Sequence, residues 1–245
     1  MIGQPRGHRV AVQSCGGLTN GLAVCRFPLI IQGMKWRALF EGRWIFAILA
    51  IFWVVSLLVV PVFSLLIAGM ILFSLYFFRD PERAVPADES LAVSPADGVV
   101  VAIEEVEEEE YLHCRVKRIV IFLSVLDVHV NRAPCEGEVI HSVSAKGKFL
   151  DARNPESSKA NARRTWVFRT MYGDVIVRQI TGAIARRIVA WSRVGDRVQR
   201  GERFGMIRFG SRTEVDFPLS AQILVKPGDK VAGGATAVAR LGEEH

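Results

Sequence analysis

"GVVVAIEEV" (Gly98–Val106) is a run of β-branched residues opened by a glycine and preceded by the turn-forming "SPAD" (Ser94–Asp97). Similar runs follow at short intervals: "KRIVIFLSV" (Lys117–Val125), "GEVIHSVS" (Gly137–Ser144), "TWVFRT" (Thr165–Thr170), "GDVIVRQI" (Gly173–Ile180), "FGMIRFG" (Phe204–Gly210) and "AQILVKPGDKVAG" (Ala221–Gly233). Strands this short, divided by turn residues, predict a mainly β, antiparallel domain of sandwich or barrel type. Long helical patterns are scarce after Leu91. "NPESSKANARR" (Asn154–Arg164) suits a short helix around Ser157–Arg164 or an ordered loop, and "EEVEEEE" (Glu104–Glu110) a loop or strand extension.

Two turns echo each other. "VGDRVQRG" (Val194–Gly201) and "PGDKVAGG" (Pro227–Gly234) share a Gly-Asp-basic-Val-x-x-Gly core, offset by 33 residues. Gly-Asp makes the tight turn, Val returns to the core and the closing Gly turns the chain again. Such hairpins are typical of barrel-sandwich folds, which include biotinyl and lipoyl carriers, and "SPADGVVVAI" (Ser94–Ile103) has a similar look.

The chain has 245 residues, half of them hydrophobic, with a mean hydropathy of +0.26. One segment carries most of that excess. "WIFAILAIFWVVSLLVVPVFSLLIAGMILFSLYFF" (Trp44–Phe78) has 35 residues and no charge. As one straight helix it would run roughly 52 Å, against a hydrocarbon core of about 30 Å. Pro61 divides it into two arms of 17 residues, which favours a tight hydrophobic helical hairpin or a re-entrant pair in a membrane. Lys35, Arg37 and Arg43 precede the run and Arg79 and Arg83 follow it, so both ends are expected on the cytoplasmic side of the cell (inner) membrane. Residues 1–33 are poorly patterned and lack the parts of a secretory signal, and Met1 and Met34 both stand open as the start. The expected organisation is therefore an N-terminal extension (1–33), a membrane-associating hairpin (34–80) and a barrel-sandwich-like β domain (81–245).

The net charge is +6, with arginine pairs at Arg163/Arg164 and Arg186/Arg187. Beside a membrane segment these suit anionic lipid headgroups or a solvated basic face, and no aromatic platform or recognition helix points to nucleic acid. Cys15, Cys25, Cys114 and Cys135 have no CxxC or zinc-type spacing, so they are read as structural thiols and no metal site is expected.

Three stretches carry chemistry. "SPADG" places Asp97 in a turn leading into a strand. "LDVHVNRAP" (Leu126–Pro134) places His129 in an apolar strand, with Asp127, His129 and Asn131 on one face at period two. "MIRFGSRTEVD" (Met206–Asp216) sets Ser211 after Gly210. Read singly, Asp97 is a turn former, His129 a structural histidine or part of a polar cluster, and Ser211 lacks the G-x-S-x-G elbow of a hydrolase.

Taken together, "FRDPER" (Phe78–Arg83), "SPADG", "DVHVNRAP", "GKFLDA" (Gly147–Ala152), "KANARRT" (Lys159–Thr165), "QITGAIARRI" (Gln179–Ile188) and "GERFGMIRFGSR" (Gly201–Arg212) resemble the compact bacterial and archaeal branch of the phosphatidylserine decarboxylases, in order, from about Leu75 to Pro218. The resemblance implies a self-cleaving proenzyme. Ser211 attacks the Gly210 carbonyl, and the chain divides into a large chain (1–210) and a small chain (211–245) that form a heterodimer, with room for a homo-oligomer of that unit. Ser211 becomes a covalent pyruvoyl group, which forms a Schiff base with the amine of phosphatidylserine and yields phosphatidylethanolamine. The resemblance also makes Asp97 the residue that orients a histidine, and His129 the general acid/base. Longer members carry D-Y-H-R-V-H here and use the second histidine, whose place is taken by Arg132, so the base for cleavage is His129 or a group elsewhere; His113 and His141 read as ordinary strand residues. Arg132, Arg208 and Arg212 are candidate partners for the anionic headgroup. Two other readings stand beside this one: a membrane-tethered lipoyl- or biotinyl-like carrier, which lacks a Met-Lys tip, and a pyruvoyl decarboxylase of a soluble amine, which gives the apolar segment no purpose.

Overall fold

The computed structural model describes residues 37–59, 61–183, 187–208 and 211–242. The extension 1–33 and Gly210, the residue expected to precede the cut, lie outside the described residues, as do Arg186, Cys15 and Cys25. Among the described residues three helices come first: α1 (Arg37–Glu41), α2 (Arg43–Val59) and α3 (Pro61–Phe77). Proline opens α3, where its missing N–H costs no hydrogen bond, and α2 packs against α3.

Strands follow: β1 (Leu91–Val93), β2 (Gly98–Glu108), β3 (Cys114–Leu123), β4 (Val130–Arg132) and β5 (Gly137–Ala145), the one-turn helix α4 (Ser157–Ala160), then β6 (Arg163–Thr170), β7 (Gly173–Thr181), β8 (Arg187–Ala190), β9 (Arg197–Val198), β10 (Arg203–Arg208), β11 (Ser211–Pro218), β12 (Gln222–Ile223), β13 (Lys230–Val231) and β14 (Ala237–Arg240). The expected mainly β, antiparallel domain is what the chain forms. One sheet has the order β13-β2-β3-β11-β7-β6-β5-β9, and two smaller ones have the orders β1-β14-β12 and β4-β10-β8. The main core gathers Trp166, Phe168, Phe204 and Phe217 with Ile119, Ile121 and Val215. A second cluster joins Ala38, Phe77 and Phe78 of the helical segment to Val128, Val130 and Met206.

The Gly-Asp echo occupies the two ends of the large sheet. Gly195 and Gly228 both adopt positive φ (+92° and +97°), which admits few side chains. Their N–H groups donate to Val139 O and Val100 O at 2.8 Å, and Asp196 O and Asp229 O accept from the same two valines at 2.9 Å. Each copy thus covers an otherwise open strand edge.

Two local expectations shift. The helix near Ser157 stops at Ala160, because Arg163 and Arg164 already belong to β6. His129 lies just before β4 rather than within a strand: Asp127 closes a turn on Ser124, accepting from Ser124 N and Oγ at 2.7 Å, so extended pairing starts only at Val130.

Candidate active site

Ser211 opens β11, paired with Leu123 of β3 on one side and Thr181 of β7 on the other. Its side chain is fully buried, and its Oγ has no hydrogen-bond partner among the described residues. Buried hydroxyls are nearly always paired, so this one calls for an explanation.

His129 is also fully buried. Its Nδ1 lies 2.9 Å from the Asp127 carbonyl oxygen. A carbonyl only accepts, so the neutral ring keeps its proton on Nδ1 and its lone pair on Nε2. The Phe77 ring covers the imidazole at 4.3 Å between centroids. Burial pushes the His129 pKa down to about 4, against the opposing pull of the Asp127 carbonyl and charge, with a small further push from Arg79.

Asp97 accepts from Arg83 Nη2 at 2.6 Å and from Gly233 N at 2.8 Å. It makes no hydrogen bond to His129; the Asp127 carbonyl holds that position. Desolvation raises the Asp97 pKa and outweighs the Arg83 charge and the Gly233 N–H. The three motifs are nevertheless brought together, each through a residue two positions away. Asn131 Nδ2 donates to Pro95 O (3.2 Å) and Thr213 Oγ1 (3.3 Å), and Asn131 Oδ1 accepts from Gln179 Nε2 at 2.8 Å. Gln179 Oε1 in turn accepts from Trp166 Nε1 at 2.7 Å. This buried chain ties the segments of Asp97, His129 and Ser211 to one another. The polar face expected of Asp127, His129 and Asn131 is therefore divided, with Asn131 serving the chain and Asp127 its turn.

The three expected headgroup arginines are already engaged. Arg132 donates to Asp80 Oδ1 (2.9 Å), Pro81 O (2.8 Å) and Gly201 O (3.1 Å), and Asp80 Oδ2 also holds Arg203 at 2.5 Å. Arg208 donates to Glu41 Oε2 at 2.6 Å and to Glu41 O at 2.5 Å. Arg212 lies on the face of β11 opposite Ser211 and donates to Glu214 Oε1 at 2.7 Å. Arg79, noticed in the sequence only as a flanking charge, differs: its hydrogen bonds go to two carbonyl oxygens, Tyr76 O (2.9 Å) and Leu126 O (2.6 Å), and its guanidinium lies 3.8 Å over the Tyr76 ring. Among the described residues no cluster of acidic, histidine or cysteine side chains could hold a metal. Buried Cys135 has its thiol pKa pushed up to about 12 by desolvation, in keeping with a structural role.

Sequence comparison agrees with this assembly. The family model described as phosphatidylserine decarboxylase matches residues 70–239. The proteins named phosphatidylserine decarboxylase proenzyme from Symbiobacterium thermophilum and Pelobacter propionicus are each 48% identical, over 71% and 74% of this chain and 82% of their own length. The protein of the same name from Carboxydothermus hydrogenoformans is 43% identical over 82% of this chain and 95% of its own. By these matches, the chain that buries Ser211 between β3 and β7 belongs to the phosphatidylserine decarboxylase family.

Proposed function

We propose that the chain cuts itself between Gly210 and Ser211, and that the matured enzyme decarboxylates phosphatidylserine to phosphatidylethanolamine and carbon dioxide in phospholipid biosynthesis. The observation that carries the self-cleavage is the buried Ser211 hydroxyl, which has no hydrogen-bond partner among the described residues. Leaving such a group unpaired costs about 1–3 kcal/mol, a cost in keeping with an oxygen kept free to attack. Ser211 Oγ adds to the Gly210 carbonyl carbon, its proton passes to a base, and the C–N bond gives way to an ester with a free amine on residue 211. A base next removes the Cα proton of residue 211, and the Gly210 carboxylate leaves with the ester C–O electrons. The dehydroalanine left behind tautomerises and takes up water to give a pyruvoyl group and ammonia.

His129 is the proposed base for the first transfer. Its Nδ1 proton is committed to Asp127, and burial keeps the ring neutral near pH 7, so Nε2 retains its lone pair. In this arrangement the Asp127 carbonyl does the orienting expected of Asp97, whose carboxylate is held by Arg83 and Gly233 N. Position 211 fits the group it would carry, since it is buried and its strand is fixed on both sides. A pyruvoyl group there would supply the ketone that condenses with an amine and an electron sink for the departing carbon dioxide. The central place of β11 would keep the large and small chains together as a heterodimer.

For the phosphodiester of the substrate we assign Arg79, since Arg132, Arg208 and Arg212 already serve carboxylates of the chain. Arg79 stands at the end of α3, where the apolar helices meet the β domain. Those helices expose Leu58, Val62 and Leu65 to 77–83% of their surface, far more apolar area than a water-facing surface ordinarily shows. Among the described residues no helix is long and apolar enough to cross a membrane. Each arm spans roughly 26 Å, short of a core of about 30 Å. This supports shallow seating in the cell (inner) membrane, with Arg43 and Arg79 at the cytoplasmic surface. A carrier module has less support, because the carboxylates of Asp196 and Asp229 accept from Arg193 N and Lys226 N in the turns where a modified lysine would stand.

The test is the intact mass of the purified protein on and off a denaturing gel. Two chains divided between residues 210 and 211, the shorter carrying a borohydride-reactive ketone, are expected, and Ser211→Ala leaves a single chain. A wild-type chain that stays whole yet turns over phosphatidylserine refutes the proposal.

A further inference from the structure

The base of the helical segment reaches the reacting centre at two points. Fully buried Phe77 packs on His129, and Glu41, at the end of α1, grips Arg208. Arg208 is the last described residue before the scissile pair. Its strand, β10, is held there by β8 through the register Arg208↔Arg187, and by Ile207 N donating to His129 O at 3.1 Å. β4 pairs with β10 only as far as Met206. The bond to Glu41 therefore comes where sheet pairing on the β4 side has ended. Phe78 closes the same corner, 5.9 Å from the Phe46 ring and 5.9 Å from the Arg208 guanidinium, while Arg208 Nε is buried with no hydrogen-bond partner among the described residues. An arginine whose Nη2 is held by a carboxylate and a carbonyl of the same residue, under a phenylalanine ring, has less freedom to swing, and so has the backbone that carries it.

We infer that Glu41 is a positioning residue for self-cleavage: through Arg208 it fixes the strand end that leads to Gly210, so the apolar segment takes part in maturation as well as in membrane seating. This rests on the proposed cut between Gly210 and Ser211 and extends it to a residue 169 positions earlier in the chain. Glutamine at position 41 keeps the backbone acceptor and one side-chain acceptor oxygen without the charge, so a graded response is expected.

The test uses the full chain, made in a cell-free reaction with detergent micelles and followed by the fraction split over time. Glu41→Ala is expected to slow splitting by about tenfold or more, and Glu41→Gln by a smaller factor, with melting temperatures close to that of the wild type. Glu105→Ala, which removes the exposed partner of Arg115, serves as the control that splits at the normal rate. Normal splitting by Glu41→Ala or Glu41→Gln overturns the inference, as does slowing that merely tracks a fall in melting temperature. A wild-type chain that never splits refutes instead the cleavage reading beneath it.

Discussion

Acidifying the proenzyme tests the environment assigned to His129. Its pKa of about 4 is set first by burial under Phe77 and its neighbours, with Asp127 opposing and Arg79 adding slightly. At pH 5 roughly a tenth of such rings are protonated, whereas an ordinary histidine near 6.5 is about 97% protonated. If neutral His129 takes the Ser211 proton, splitting at pH 5 keeps about nine-tenths of its full rate, roughly thirtyfold more than an unperturbed base would allow. The assay is the rate of chain splitting between pH 4 and 8, with circular dichroism at each pH to report folding. That control matters because the same shift costs stability. The unfolded ring binds a proton near pH 6.5 and the folded ring only near 4, so stability is lost as pH falls through that window, by about 3 kcal/mol in all, and this group adds no further loss below it. Phe77→Ala opens one face of the ring to water and moves the acid limb upward from 4 toward 6.5. A wild-type midpoint near 6.5, or a Phe77→Ala profile identical to the wild type, refutes the reasoning.

Two further substitutions separate the arginines. Asp80→Ala leaves Arg132 and Arg203 buried without their shared carboxylate and is expected to destabilise the fold by about 3–5 kcal/mol, read as the urea midpoint of the Ser211→Ala background; a midpoint within error of the parent would mean that Arg132 is not structural. Arg79→Ala raises the KM for phosphatidylserine in mixed micelles by about tenfold, and an unchanged KM would return the phosphate to another residue.

The strands could be read because their signal is local: period-two burial, β-branched runs and Gly-Asp turns all act within a few residues. The partners of the arginines could not, because Asp80 is 52 residues from Arg132 and Glu41 is 167 from Arg208. Nothing in "VNRAP" or "MIRFG" shows that a distant carboxylate already occupies the guanidinium. The strand "SRTEVD" misleads in another way. Its alternation of Arg212, Glu214 and Asp216 looks like a solvent face, yet these residues are 8%, 0% and 0% exposed. They are buried because charged partners on β3, β7 and β2 meet them, and such matching is invisible in one strand. His129 was found by motif and misplaced by pattern, since the apolar residues around it mask the Ser124–Asp127 turn that precedes β4.

That charged face bears on the proposed cut beside a strand at the centre of the sheet. Arg118 binds Asp216 at 2.7 and 2.8 Å, Arg178 joins Asp216 to Glu108, and Arg212 holds Glu214. Three guanidiniums and three carboxylates thus balance in a buried layer. Such layers contribute little net stability, because desolvation offsets the attraction. Their effect here is on register. A slip of one residue in β11 turns Val215 into the ionic layer and Asp216 into the apolar core, and both moves are costly. While the chain is whole, its link to β10 also restrains β11. If the bond before Ser211 is cut as proposed, that restraint goes, and the paired charges would still hold β11 between β3 and β7, keeping residue 211 in place.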